Sequence, residues 1–199
     1  LGGIAGVING ESSDLNIENV NITTDINHAD IGGVVGVITS TLANTSAKTV
    51  RINNSSELYS GGAGIYGGIV GFTFNPLNSA VVDDVIIETK GEETKIGGIT
   101  GISTSTISDA KANNVTITGK SLLAGGISGV VNSSINDCTV SHINITSDYE
   151  KDNYAVYGGV TGAINGDASH VTATDVMIDS KAKKAKMGGI AGTISQNTT

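Results

Sequence analysis

A five-residue phrase, Gly-Gly-aliphatic-x-Gly, occurs seven times along this 199-residue chain. Successive copies lie 30, 35, 30, 28, 33 and 30 residues apart. Self-similarity with a period of about 20–50 residues is the signature of a repeat architecture, in which each repeat is covered by its neighbours. The period predicts one repeat domain over residues 1–199, an excised part of a longer chain, with repeats that start near residues 1, 31, 66, 96, 124, 157 and 187.

Each complete repeat also carries a V-x-I block, two aliphatic residues two positions apart. Apolar side chains at this spacing are typical of a strand with one buried face. The last residue of the block is isoleucine in all six complete repeats, and we expect these residues to stack as one buried column: Ile22, Ile52, Ile87, Ile117, Ile145 and Ile178.

A second pair of residues precedes each block, for example Leu15 and Ile17 or Cys138 and Val140. Three positions separate this pair from the block, so the alternation changes phase, and a change of phase predicts a corner. The repeat therefore predicts an all-β fold, a β-solenoid of about six to seven rungs with roughly 30 residues and up to three short strands per rung. Rungs stacked at about 4.8 Å would form a rod core of roughly 30 Å.

The second glycine of each phrase is predicted to be structural. Glycine permits a tight turn, a close approach of two backbones or a positive φ. These glycines are Gly3, Gly33, Gly68, Gly98, Gly126, Gly159 and Gly189.

All length variation falls between the V-x-I block and the next glycine phrase. These connections run from 6 residues at 118–123 to 13 residues at 53–65. Variable loops on one edge of a repeat protein are often its binding surface, although surface loops also simply tolerate changes of length. The longest connections carry Tyr59, Tyr149 and Tyr154 as candidate partner-binding residues, whereas Tyr66 and Tyr157 directly precede the glycines, where packing is expected.

Candidate chemistry elsewhere is sparse. The net charge of −8 argues against nucleic acid as a partner, and no membrane-inserting segment is expected. His142 fills a corner position and Cys138 an apolar column, so structural roles are favoured for both. The acidic loop with Asp148, Glu150 and Asp152 is interpreted as a solvated loop, with calcium binding as the alternative. The lysine-rich segment 181–186 is interpreted as a solvated face, with an anion site as the alternative.

The glycine phrase followed by an N/D-V-x-I block resembles the GLUG-type repeats of bacterial surface proteins, over essentially the whole chain. Such repeats occur in cell-surface adhesins and in the N-terminal regions of streptococcal zinc metalloproteases of the immunoglobulin-A protease family. That family's catalytic H-E-x-x-H motif is absent here, so no catalytic residue carries over. The resemblance implies an extracellular, secreted or wall-attached location, and places any zinc in a catalytic domain outside this chain.

Three functions follow as hypotheses. The first is a non-catalytic region of a bacterial zinc metalloprotease, with no cofactor of its own, that acts as a spacer and recognises a host glycoprotein or immunoglobulin. The second is a ligand-binding or stalk segment of an adhesin without a protease domain. A polysaccharide-degrading β-helix is a distant third. We expect a monomer. The exposed strand edges at the two ends of a cut solenoid would allow end-to-end association as an artefact of truncation.

Overall fold

The computed structural model describes residues 1–57, 64–148, 150 and 154–195, with Ser121, Leu122 and Tyr154 described by their backbone alone. All regular secondary structure in these residues is β, arranged as three parallel sheets. The chain forms a β-solenoid of about six turns with roughly 30 residues per turn, so the predicted fold class is confirmed. We number rungs 1 to 6 from the repeat starts at residues 1, 31, 66, 96, 124 and 157.

The first two sheets contain one short strand from each rung, and the first sheet also contains a strand from the partial seventh repeat. Seven strands form the first sheet: β1 (Ala5–Ile8), β5 (Val35–Ile38), β9 (Val70–Thr73), β12 (Thr100–Ser103), β15 (Ser128–Val131), β19 (Thr161–Ile164) and β23 (Ala191–Ile194). Six two-residue strands form the second: β2 (Ser12–Ser13), β6 (Leu42–Ala43), β10 (Leu77–Asn78), β13 (Ile107–Ser108), β16 (Ile135–Asn136) and β20 (Ala168–Ser169).

The third sheet contains the long strands, which hold the V-x-I blocks. They are β3 (Asn16–Thr24), β7 (Ser46–Asn54), β11 (Val81–Gly97), β14 (Lys111–Gly125), β17 (Thr139–Ser147) and β21 (Thr172–Ser180). Short strands that lead into the glycine phrases join the same sheet: β4 (Asp30–Gly32), β8 (Ile65–Gly67), β18 (Tyr154–Gly158) and β22 (Lys184–Gly188).

Equivalent residues of successive rungs stack in register. Ile87 pairs with Ile52 on one side and with Ile117 on the other, and all three are at most 1% exposed. Ile22 and Ile178, in the first and last complete rungs, are only partly buried. The core is thus a set of apolar columns along the rod, and burial in each column depends on a rung on both sides.

The predicted corner lies inside the long strands. One residue of each has a positive φ between 51° and 59°, and this residue precedes the V-x-I block: Asn19, Thr49, Asp84, Asn114, His142 and Asp175. The two strands expected around this corner are therefore one bent strand. A second corner of positive φ follows each two-residue strand, at Asp14, Asn44, Ser79, Asp109, Asp137 and His170.

The glycine pairs serve close backbone approach. A Cβ on Gly98 would overlap with the carbonyl oxygen of Gly126 in the next rung and would lie 2.8 Å from Cγ2 of Val115. Among the described glycines, positive φ occurs at Gly119 alone, so left-handed backbone is not the reason for the phrase. Glycine is required because the backbones of two successive rungs are in contact at the glycine pairs.

Candidate binding saddle at the variable edge

The variable connections all start at the ends of the long strands, along one edge of the rod. Rungs 3 and 4 have connections of 8 and 6 residues, and they lie between the connections of rungs 2 and 5, with 13 and 11 residues. In rungs 3 and 4 the chain continues as strand, through β11 and β14, into the next glycine phrase. The short connections form a depression that we call the saddle, lined by Asn53, Asn54, Glu57, Glu88, Thr89, Lys90, Glu92, Thr118, Gly119, Lys120, Asp148, Glu150 and Lys181.

Gly119 lines the saddle without a side chain. Gly119 pairs in register with Thr89 and Ser147, and it has a φ of 149°. A Cβ there would overlap with the carbonyl oxygen of Thr89. The ladder between β11 and β14 is irregular at the same point, because residues 90–93 of rung 3 are opposed by Lys120. A missing side chain and a short connection therefore create the depression together.

Two adjoining cavities occupy the saddle. One has a volume of about 340 Å³ and extends from Asn53 in rung 2 to Asp148 in rung 5. The other has a volume of about 480 Å³ and reaches Lys181 in rung 6. Lys120 and Asp148 line both cavities, so these two residues mark the centre of the saddle. Volumes of this size suit a peptide side chain or a sugar unit.

Ion pairs across the saddle connect different rungs. Lys90 lies 3.7 Å from Glu57, Lys120 lies 4.0 Å from Glu92, and Lys181 lies 2.9 Å from Asp148. The hydrogen bond and charge of Asp148 raise the pKa of Lys181. The lining holds these three lysines and five carboxylates, the last two being Glu88 and Glu150, so its net charge is −2. The saddle is strongly polar with a modest preference for cations.

A smaller cavity adjoins the saddle, with a volume of about 20 Å³. It shares Asn54 and Glu92 with the two larger cavities, and Tyr66 and Thr94 also line it. Asn54 Nδ2 donates hydrogen bonds to the Tyr66 hydroxyl at 2.8 Å and to the Ile26 carbonyl at 2.9 Å. Thr94 is 1% exposed, and its hydroxyl has no hydrogen-bond partner among the described atoms. The volume is about that of one water-sized group.

Most of the predicted binding tyrosines fall outside this description. Tyr59 and Tyr149 lie outside the described residues, as does Asp152 of the acidic loop, and Tyr154 is described by its backbone in β18. Tyr66 and Tyr157 are 2% and 0% exposed, as the packing interpretation predicts.

The structure joins two segments that the sequence left separate. Lys181 of the lysine-rich segment pairs with Asp148 of the acidic loop, because both follow long strands of neighbouring rungs. The sequence offered a signal for this pairing, since both residues stand at the same distance after their glycine phrases. Sequence reasoning also missed Glu88, Thr94 and Gly119, whose importance depends on the relative lengths of four connections.

Cys138 and His142 both have surroundings that suit a structural role. Cys138 is 0% exposed, its Sγ donates to the Asn136 carbonyl at 3.1 Å, and burial raises the pKa of its thiol to about 11. His142 is the corner residue of its rung, and its ring lies between Asn113 Oδ1 at 3.1 Å and Asp175 Oδ2 at 3.4 Å.

Within the described part of the chain, no three His, Cys, Asp or Glu residues are grouped closely enough to hold a metal ion. The same residues contain no helix long and apolar enough to cross a membrane. The chain matches no protein-family model, no curated protein and no solved structure. The resemblance to GLUG-type repeats stays a prediction that rests on the glycine phrase and the V-x-I block.

Proposed function

We propose that this chain is a non-catalytic repeat region of an extracellular bacterial surface protein, and that it recognises a host glycoprotein through the saddle. The observation that carries the proposal is the pair of adjoining cavities at the variable edge, whose lining includes described residues of the two longest connections. The other faces repeat almost without change in length, whereas this edge presents a different set of side chains in each rung. A unique surface on a regular scaffold suits recognition.

The rest of the rod supports a role as a spacer. Each interior rung is fixed by parallel ladders to both neighbours, and the apolar columns are nearly inaccessible to solvent in the interior rungs. Contacts of this kind resist bending, because displacement of one rung would break ladder hydrogen bonds and expose the core together. Such a rod would hold the saddle, and any domain joined to the chain, at a fixed distance from a surface.

The resemblance of the repeat favours a secreted or wall-attached zinc metalloprotease as the parent protein. In that case the saddle would bind the substrate of the protease, with immunoglobulin A as the first candidate. Sequencing the reading frame beyond Thr199 tests the assignment. An encoded H-E-x-x-H motif is the expected result, whereas further repeats and a wall anchor without that motif would replace the protease by an adhesin.

Surface plasmon resonance with immobilised immunoglobulin A tests recognition by the saddle. We expect saturable binding by the unmodified chain and at least tenfold weaker binding by Thr118→Trp, because an indole at this exposed position would fill the saddle. Thr139→Trp is the matched control, since Thr139 is also an exposed threonine of a long strand but lies outside the saddle.

A second variant tests the flanking connections. Replacing Tyr59, Tyr149 and Tyr154 by Ala should also weaken binding, because tyrosine is enriched among the residues that supply most of the energy of protein recognition. Equal binding by the unmodified chain, Thr118→Trp and the triple variant would exclude the saddle as the recognition surface.

A further inference from the structure

We infer that the saddle recognises a primary ammonium group, such as a lysine side chain of a protein partner, and that the small cavity lined by Glu92 and Thr94 receives its charged end. The inference deepens the proposed function and rests on it, because it assigns a ligand chemistry to the same surface. It follows from three observations: the charge of the lining, a buried hydroxyl without a partner, and the size of the small cavity.

The charge of the lining favours a cation. Each of the three lysines already faces a carboxylate of another rung, at distances from 2.9 to 4.0 Å. Glu88 and Glu150 form no ion pair with any described residue, although both line the saddle. A cationic ligand in the small cavity would share the Glu92 carboxyl group with Lys120, and it would meet the charges of Glu88 and Glu150 without breaking an ion pair of either residue. An anionic ligand would have to break the existing pairs.

Thr94 supplies a second and independent observation. Its hydroxyl is buried and has no hydrogen-bond partner among the described atoms, and Thr94 and Glu92 both line the small cavity. A buried polar group without a partner is costly, and each such group in a folded protein calls for an explanation, such as a bound water or ion. The hydroxyl and the carboxylate both accept hydrogen bonds. An ammonium group, which has three N–H donors and no acceptor, complements them.

The size of the small cavity selects among cations. About 20 Å³ holds one water-sized group, and an ammonium group is of that size. A guanidinium group is planar, carries five donors in a rigid fork and is too wide. A calcium ion needs about six to eight oxygen ligands, whereas Glu92 is the one carboxylate among the described lining residues. The geometry therefore favours lysine over arginine.

The length of the saddle suggests a suitable probe. From Glu57 in rung 2 to Lys181 in rung 6 there are four rung steps, or about 19 Å at about 4.8 Å per step. An extended peptide advances about 3.3 Å per residue, so six residues span this length. A hexapeptide can thus place one side chain in the small cavity while others meet Glu88 and Glu150.

Fluorescence anisotropy with labelled hexalysine, hexaarginine and hexaglutamate tests the inference. We expect hexalysine to bind at least fivefold more tightly than hexaarginine, and hexaglutamate not to bind. Thr94→Val keeps the β-branched shape and removes the hydroxyl, so it should weaken hexalysine about tenfold and leave hexaarginine unchanged. Its midpoint of thermal unfolding should equal or exceed that of the unmodified chain, because the lost hydroxyl has no partner.

A charge-matched pair of variants separates the saddle from the acidic charge of the whole chain. Glu88→Gln with Glu150→Gln should weaken both basic peptides, whereas Glu11→Gln with Glu18→Gln changes the net charge equally in rung 1 and should have a much smaller effect. Equal affinities for lysine and arginine peptides, with no effect of Thr94→Val, would overturn the inference and leave only water for the small cavity. If Thr118→Trp still abolished binding of immunoglobulin A in that case, the proposed function would stand without the ammonium group.

Discussion

Asn54 donates a hydrogen bond from Nδ2 to the hydroxyl of Tyr66 over 2.8 Å, and both side chains are at most 2% exposed. Tyr157 donates a corresponding hydrogen bond to Ser147 Oγ over 2.9 Å. In each case a residue at the end of a long strand is joined to the residue before the next glycine phrase. Each hydrogen bond joins the two ends of one of the two longest connections. At the position of the tyrosine, the other copies have an aliphatic residue, alanine or Met187.

Tyr66→Phe should lower the free energy of unfolding by about 1–2 kcal/mol. The ring keeps its apolar contacts, but Asn54 Nδ2 loses one of its two acceptors and keeps the Ile26 carbonyl. Urea denaturation measures the change. A loss below about 0.3 kcal/mol would show that Asn54 finds another partner and that the pair does not hold the loop.

Gly98→Ala should cost several kcal/mol or prevent folding, because the added Cβ would overlap with the backbone of Gly126. Gly189→Ala is the matched control in the last copy of the phrase, where a Cβ would meet no described atom within 4 Å. Thermal unfolding of both variants is the measurement. Similar losses in both would assign the glycine requirement to the turn itself rather than to contact between rungs.

Ile117→Ala should cost about 2–5 kcal/mol, as expected for a large-to-small change in a packed core. Ile117 is 0% exposed and lies between Ile87 and Ile145 in register. Ile22→Ala removes the same atoms from the partly buried first rung, so its cost should be clearly smaller. Equal values from urea denaturation would contradict the view that each column residue gains its stability from two neighbouring rungs.

Cys138 should make the stability of the chain depend on pH above pH 9. Its thiol has a pKa of about 11 in the folded chain, against 9.0 as the ordinary value, because burial disfavours the thiolate. The folded state therefore keeps a proton that the unfolded chain releases, and stability falls as pH rises from about 9 to about 11 by roughly 2–3 kcal/mol. Urea denaturation across this range measures the loss.

Cys138→Ser is the control for that pH dependence. Thr45, which occupies the same column, donates its hydroxyl to the Ala43 carbonyl at 3.1 Å, as Cys138 Sγ donates to the Asn136 carbonyl. Serine should therefore fit and should flatten the decline between pH 9 and 11. An unchanged decline in the serine variant would assign it to other groups.

The sequence predicted the repeat, the buried columns and the corner before the V-x-I block, because these depend on local alternation and on a period that every rung obeys. It did not predict that the corner bends one continuous strand, because a residue such as His142 with positive φ reads in the sequence as a break. It also left open why glycine recurs. The structure selects backbone contact between rungs, which involves residues about 30 positions apart, such as Gly98 and Gly126.

The sequence by itself determined the architecture of this protein, since a period that places an isoleucine in every rung leaves stacking as the way to bury it. The tertiary structure decided where the saddle lies and which charges line it. Nothing in the sequence connects Lys120, Glu92 and Asp148, and they meet because rungs 3 and 4 have short connections between two long ones. Residues of different connections become neighbours only after the rungs have stacked, because stacking in register places equivalent residues of successive rungs about 4.8 Å apart.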